Sequence, residues 1–236
     1  FRARGTFAPV TGLVGGGPFR LAPGQWTDDT SMAICLAESL LHDPALDPAD
    51  LMARFLRWWR QGENSSTGEC FDIGNATRAA LARFERSGEP LAGDPSPNAA
   101  GNGSVMRLAP VALRHWRAPR RAEGVAERQS ACTHATPVAI AGCAPLAEVL
   151  CGLIAGQGKA ALTPGQAKGW PPRIRAIAAG KWRGAQEAAI SSSGYVVHTL
   201  EAAVWAVDGA ESFEEAVLRA VNLGDDADTV GAVTGQ

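Results

Sequence analysis

Apolar residues recur three and four positions apart over most of this chain, and no stretch shows sustained alternation bounded by hairpin turns. Such a period buries one face of a helix, so it restricts the chain to helix packed on helix. Ala33, Leu36 and Leu40 follow Asp29 and Thr30, both good N-cap types. Asp47-Pro48-Ala49-Asp50 supplies a cap, a first-turn proline and an acidic first turn. The helix after it would bury Leu51, Phe55 and Trp58 or Trp59. Ile73, Ala76, Ala80 and Phe84 predict another helix, ending near Gly88. A Gly/Pro/Asn/Ser-rich loop over 93–103 precedes a helix predicted for 105–116. Further helices are predicted for 119–133, 137–156, 172–189 and 194–208, and Ser212 with Glu215 forms a capping box. The expectation is one all-α, compact multi-helix domain over 1–236, with its chemistry in loops at helix ends.

Composition narrows the function classes. A formal charge of −2 leaves no basic field for general nucleic-acid binding. The five cysteines (Cys35, Cys70, Cys132, Cys143, Cys151) form no C-x-x-C pair and fall in apolar stretches, as buried free thiols do. With no signal peptide, and no apolar run approaching the roughly 20 residues of a membrane span, a cytoplasmic protein without membrane association is expected. The chain opens at Phe1-Arg2 without methionine and stops at Gln236 as an apolar helix begins, so a fragment is expected.

Two acidic clusters lie near opposite ends, Thr27-Asp28-Asp29-Thr30 and Asp225-Asp226-Ala227-Asp228-Thr229. Carboxylates with threonine hydroxyls are the hard oxygen ligands that Mg²⁺ or Mn²⁺ takes. Adjacent aspartates diverge by about 100° on a regular helix, but at a loop-to-helix junction both can face one centre. The simpler alternative is helix N-capping. A cap needs only one side chain, and clustered carboxylates repel unless a cation or solvent compensates.

Gly101-Asn102-Gly103-Ser104 lies directly before a helix and could present backbone N–H groups and a hydroxyl to a phosphate, although an ordinary helix start fits as well. His134 closes a helical stretch, and Asp72 stands near the start of another; capping explains either on its own. G-x-S-x-G, H-E-x-x-H and zinc spacings are absent, which removes serine-hydrolase and zinc-protease readings.

Taken in order, four segments resemble the ADP-ribosylglycohydrolase family: Gly24 to Ala33, Cys70 to Arg78, Gly101 to Pro110 and Asn222 to Gln236. The resemblance implies an all-α fold around a central dinuclear cleft holding two Mg²⁺ or Mn²⁺ ions. Thr27, Asp28 and Asp29 would ligate from one side and Asp226, Asp228 and Thr229 from the other. Asp225 falls where many relatives carry glycine and is taken as a neighbour. Asn102, Gly103 and Ser104 would hold a diphosphate, and His134 would lie near the ADP-ribose. Asp72 and Asp28 are the carboxylates assigned to catalysis, with Asp72 handling an arginine-linked substrate. Relatives also carry an acidic residue on a helix preceding the segment that begins here at Phe1, and a closing helix after Gln236; both are expected to be missing.

The resemblance implies a metal-dependent hydrolase that releases ADP-ribose from a modified protein, arginine linkage favoured, and a monomer is expected. Two alternatives stay open. One is hydrolysis of other conjugates, such as O-acetyl-ADP-ribose or serine- or nucleic-acid-linked ADP-ribose. The other is a relative that binds ADP-ribose without turnover.

Overall fold

The computed structural model describes residues 2–165 and 169–236, so Phe1 lies outside the described residues. The α-helices among them are α1 (Asp28–His42), α2 (Pro48–Gln61), α3 (Asn75–Ser87), α4 (Ala109–His115), α5 (Pro119–Thr133), α6 (Pro137–Ile154), α7 (Pro172–Ala178), α8 (Val196–Asp208), α9 (Phe213–Val221) and α10 (Ala227–Gly235). No sheet occurs among the described residues; isolated bridges join Gly16 to Leu21, Asp94 to His134 and Gly101 to Tyr195.

The helix α6 lies at the centre. It packs against α4, α5, α7 and α8, while α1 sits on α2 and α4, and α10 lies on α8 and α9. Met32, Leu36, Leu51, Phe55, Trp58, Leu81, Leu108, Val111, Cys143, Leu200 and Val230 join one buried apolar cluster. Each large side chain removed from water there contributes about 1.5–3 kcal/mol. All five cysteines are free, and all but the half-buried Cys70 are buried.

Local chemistry explains the helix ends. Asp47 accepts the Ala49 N–H at 2.8 Å and Pro48 supplies the first residue of α2. Gly88 ends α3 at φ +73, where a β-carbon would be strained. Ser212 accepts the Glu215 N–H at 3.1 Å, but the Glu215 carboxylate accepts from Glu211 rather than Ser212, so half of the expected capping box forms.

Several expectations need correction. The N-cap of α1 is Thr27, and Asp28 and Asp29 occupy its first turn. Ile73 precedes α3 instead of sitting on its face. The helix expected from 105 begins at Ala109, after a series of turns. The helix expected over 172–189 ends at Ala178, because Gly180 turns the chain at φ +74 and buries Trp182, whose indole N–H donates to the Ile177 carbonyl. By length and composition α6 is apolar enough to cross a membrane, contrary to the expectation of no such run. Its burial (67%) matches a core helix, which passes the same test.

Candidate active site

The loop before α1 is pinned to the loop after α2. The Trp26 indole N–H donates to the Asn64 carbonyl at 3.2 Å, and the Ser66 hydroxyl donates to the Trp26 carbonyl at 2.6 Å. This fixes where α1 begins and directs its first turn toward the start of α10. The first turns of the two helices come together, so that Asp28 and Asp29 feel the charge of Asp228.

A second frame holds the start of α10. The Asp226 N–H donates to the Ser192 carbonyl at 3.0 Å, and the Asn102 N–H donates to the Gly194 carbonyl at 3.1 Å. Segment 192–196 therefore ties the 100–103 loop to the second acidic cluster.

Between these frames lies a cavity of about 410 Å³. Asp28, Asp72, Asn102, Gly103, His134, Asp226, Asp228 and Thr229 all contribute to its wall. The structure thus brings together most residues singled out in the sequence. Asp29 and Thr27 sit just behind the wall, joined by a hydrogen bond of 2.9 Å from the Thr27 hydroxyl to Asp29 Oδ2.

Two placements differ from expectation. Ser104 is fully buried and its hydroxyl contacts the Cys143 thiol, turned away from the cavity. Asn102 directs its amide at protein groups, donating to Asp226 Oδ2 at 2.6 Å and to the Thr199 hydroxyl at 2.9 Å. It secures the acidic cluster; Gly101, Asn102 and Gly103 line the cavity and Ser104 does not.

The simpler explanation of the aspartates, helix capping, accounts for little. Neither Thr27 nor Asp226 makes a side-chain cap bond, and Gly74 is the N-cap of α3. Asp72 instead occupies the left-handed region at φ +57, uncommon for a residue with a β-carbon, and this backbone turns its carboxylate into the cavity. Asp225, also left-handed at φ +53, is exposed and donates its N–H to the Arg2 carbonyl.

Electrostatics set this cluster apart. Burial, reinforced by Asp29, Asp72 and Asp228, raises the Asp28 carboxyl well above its usual range. Burial and the Asp228 charge push Asp29 up to about 7 and Asp72 up to about 7. Burial lifts Asp226 to about 6, against the opposing pull of the Asn102 hydrogen bond. No lysine or arginine pairs with any of these groups among the described residues. Asp29 Oδ1 and Asp72 Oδ2 are buried without a donor. Buried carboxylate oxygens normally find a partner, and these two have none among the described residues.

No group of three or more acidic, imidazole or thiol side chains stands as a ready-made metal cage among the described residues. The donor set nonetheless fits a hard divalent cation, which takes carboxylate and hydroxyl oxygens and would neutralise the raised groups.

On the far wall, His134 follows the last residue of α5. Its ring packs against the glycine turn, where a β-carbon on Gly103 would fall 2.6 Å from Cε1 and one on Gly101 would fall 3.3 Å from Nε2. The glycines therefore admit the ring. Behind it lie Thr133, Gln129 and a wholly buried Arg107, none of which sequence reasoning selected. The available signal was an arginine in an apolar run with no acidic residue three or four positions away.

The fold is all-helical among the described residues, and aspartates from both ends of the chain converge on one cavity. The chain belongs to the ADP-ribosylglycohydrolase family, whose model matches residues 1–236. It is 45% identical to the ADP-ribosylarginine hydrolase Tri1 of Serratia proteamaculans, covering 96% of this chain and 62% of that protein. It is 32% identical to the ADP-ribosyl-(dinitrogen reductase) glycohydrolase of Rhodospirillum rubrum, covering 100% of this chain and 76% of that protein. A solved structure described as an ADP-ribosylglycohydrolase-related protein complex superposes with a TM-score of 0.85 at 43% identity, over 99% of this chain and 77% of the other. The chain spans about three fifths of the length of the two Tri1 relatives it matches, 62% and 61%.

Proposed function

We propose that this chain carries the cleft of a metal-dependent hydrolase that cleaves the N-glycosidic bond between ADP-ribose and a protein arginine. One observation carries the reading. Asp72 places a buried, donorless carboxylate oxygen in the same cavity as Asp28, Asp226 and Asp228. A guanidinium entering there would supply the missing N–H donors and positive charge. The relatives named ADP-ribosylarginine hydrolase support the arginine linkage.

In this reading Thr27, Asp28 and Asp29 hold divalent cations from one side, and Asp226, Asp228 and Thr229 hold them from the other. Two bound Mg²⁺ or Mn²⁺ ions would offset the carboxylate charge and supply electrophilic assistance at the ribose. Asn102 keeps Asp226 in place through its amide. The backbone N–H of Gly103, which donates to no protein acceptor among the described residues, offers a site for a phosphate oxygen. Bond cleavage develops positive charge on the ribose, and the carboxylates lining the cavity stabilise it. In this reading Asp72 would exchange a proton with the leaving guanidine, and Asp28 would do the same with water.

The test is hydrolysis of ADP-ribosyl-arginine, with release of free ADP-ribose followed by chromatography. Chelation by EDTA should abolish turnover and Mg²⁺ or Mn²⁺ should restore it. Asp226→Ala should lower it by at least about a hundredfold. Turnover indifferent to chelation and to this substitution would refute the metal role. Faster release from O-acetyl-ADP-ribose or a serine-linked conjugate would refute the arginine preference.

A further inference from the structure

The residues behind His134 form a continuous line of hydrogen bonds with a fixed direction. Arg107 donates from Nε to Gln129 Oε1 at 2.7 Å, and from Nη2 to the Gln129 carbonyl at 2.9 Å and the Thr133 hydroxyl at 2.8 Å. A guanidinium has only donors, so Thr133 Oγ1 accepts from Arg107. The remaining contact of that hydroxyl is His134 Nδ1, at 2.8 Å. Its own hydrogen must therefore go to Nδ1, which accepts and carries no proton. The ring proton then resides on Nε2, which meets no protein acceptor among the described residues and borders the cavity.

We propose that Arg107 and Thr133 are positioning residues that lock His134 in its Nε2–H form, making it a neutral hydrogen-bond donor to an acceptor oxygen of the bound ligand. The opposite tautomer would leave Thr133 Oγ1 facing two donors with no acceptor for its own hydrogen, a costly arrangement in a buried site. Burial and the Arg107 charge also push His134 down to about 3, so the ring stays neutral through the physiological range. Further bonds prevent escape by rotation or shift. The His134 N–H donates to the Ser130 carbonyl at 2.6 Å, the Ser130 hydroxyl donates to the His134 carbonyl at 2.8 Å, and the ring is wedged on Gly103. A histidine so held cannot serve as a general base through Nδ1; it reads an electron-rich oxygen, such as one on a phosphate. The identity of that oxygen rests on the proposed function, whereas the tautomer does not.

Long-range ¹H–¹⁵N correlation spectra of histidine-labelled protein test this, with His134→Gln used for assignment. His134 should show a pyrrole-type Nε2 and a pyridine-type Nδ1, unchanged between about pH 5 and 8. A protonated Nδ1, or exchange between forms, would overturn the proposal. Thr133→Ser should preserve the pattern, and Thr133→Val should lose it while weakening free ADP-ribose binding roughly three- to tenfold. Equal affinity in Thr133→Val and Thr133→Ser would overturn the donor role toward the ligand. If Thr133→Val fails to fold, the wild-type and Thr133→Ser spectra decide. Wild-type protein that binds no ADP-ribose would refute the proposed function and leave the tautomer to stand or fall on its spectrum.

Discussion

The two walls of the cavity treat buried charge in opposite ways. Along one, Asp28, Asp29, Asp72 and Asp226 crowd together with no lysine or arginine partner among the described residues, where two of their carboxylate oxygens also lack a donor. Behind the other, the buried cation Arg107 has Nε and Nη2 met by Gln129 and Thr133, rests Nη1 on Met32 Sδ at 3.8 Å, and lies 4.7 Å over the Phe55 ring. Neutral acceptors and an aromatic face suffice for a guanidinium, whose charge is spread and weakly hydrated. Carboxylates concentrate their charge and repel one another. The satisfied wall is therefore a rigid scaffold, and the unsatisfied wall is a site that gives up stability until a ligand arrives.

The largest expected break in this contrast comes from the scaffold. Arg107→Leu strands Gln129 Oε1 in the core and removes the donor to the Thr133 hydroxyl, and should destabilise the protein by about 3–5 kcal/mol, read by chemical denaturation. The pH response of the metal-free protein comes next. Folded carboxyls raised from the usual 3.8 to about 7 bind protons that the unfolded chain releases. Their contribution is present below about pH 4 and is lost as pH rises through about 7, on the order of 3 kcal/mol for the cluster. Thermal melts in EDTA should fall over that interval, opposite to the usual trend for acidic groups, and Mg²⁺ should restore stability at pH 8.

Gly103→Ala sharpens the boundary between the walls. Its β-carbon meets a ring that cannot retreat, so a cost of about 2 kcal/mol and weakened ADP-ribose binding are expected by melting and calorimetry. The smallest effect has the opposite sign. Asp29→Asn should stabilise metal-free protein by about 1 kcal/mol by removing one buried charge, while impairing cation binding. Loss of stability in that variant would contradict the idea of a frustrated acidic wall.

Much of this architecture was legible in the sequence where local chemistry decides. Asp47-Pro48 announced α2, and the predicted span 119–133 coincides with α5. Prediction failed where a distant contact or an unusual backbone decided. The predicted 172–189 helix stops early because Gly180 turns positive and Trp182 finds a buried seat. Asp72 looked like a cap because position alone cannot reveal a left-handed φ. The acidic clusters were visible as residue types, and the motif order linked them to one family. The Arg107–Thr133–His134 line was invisible, because Arg107 reaches Thr133 from 26 residues away and the direction of the line follows only from counting donors.

The central claim is that the two acidic clusters share cations that neither holds alone. Anomalous diffraction at the manganese edge, from crystals grown with Mn²⁺, tests it most directly. Two peaks about 3.5–4 Å apart are predicted, bounded by Thr27, Asp28 and Asp29 on one side and by Asp226, Asp228 and Thr229 on the other. A cleft without anomalous signal, or ions held by one cluster alone, would contradict the claim.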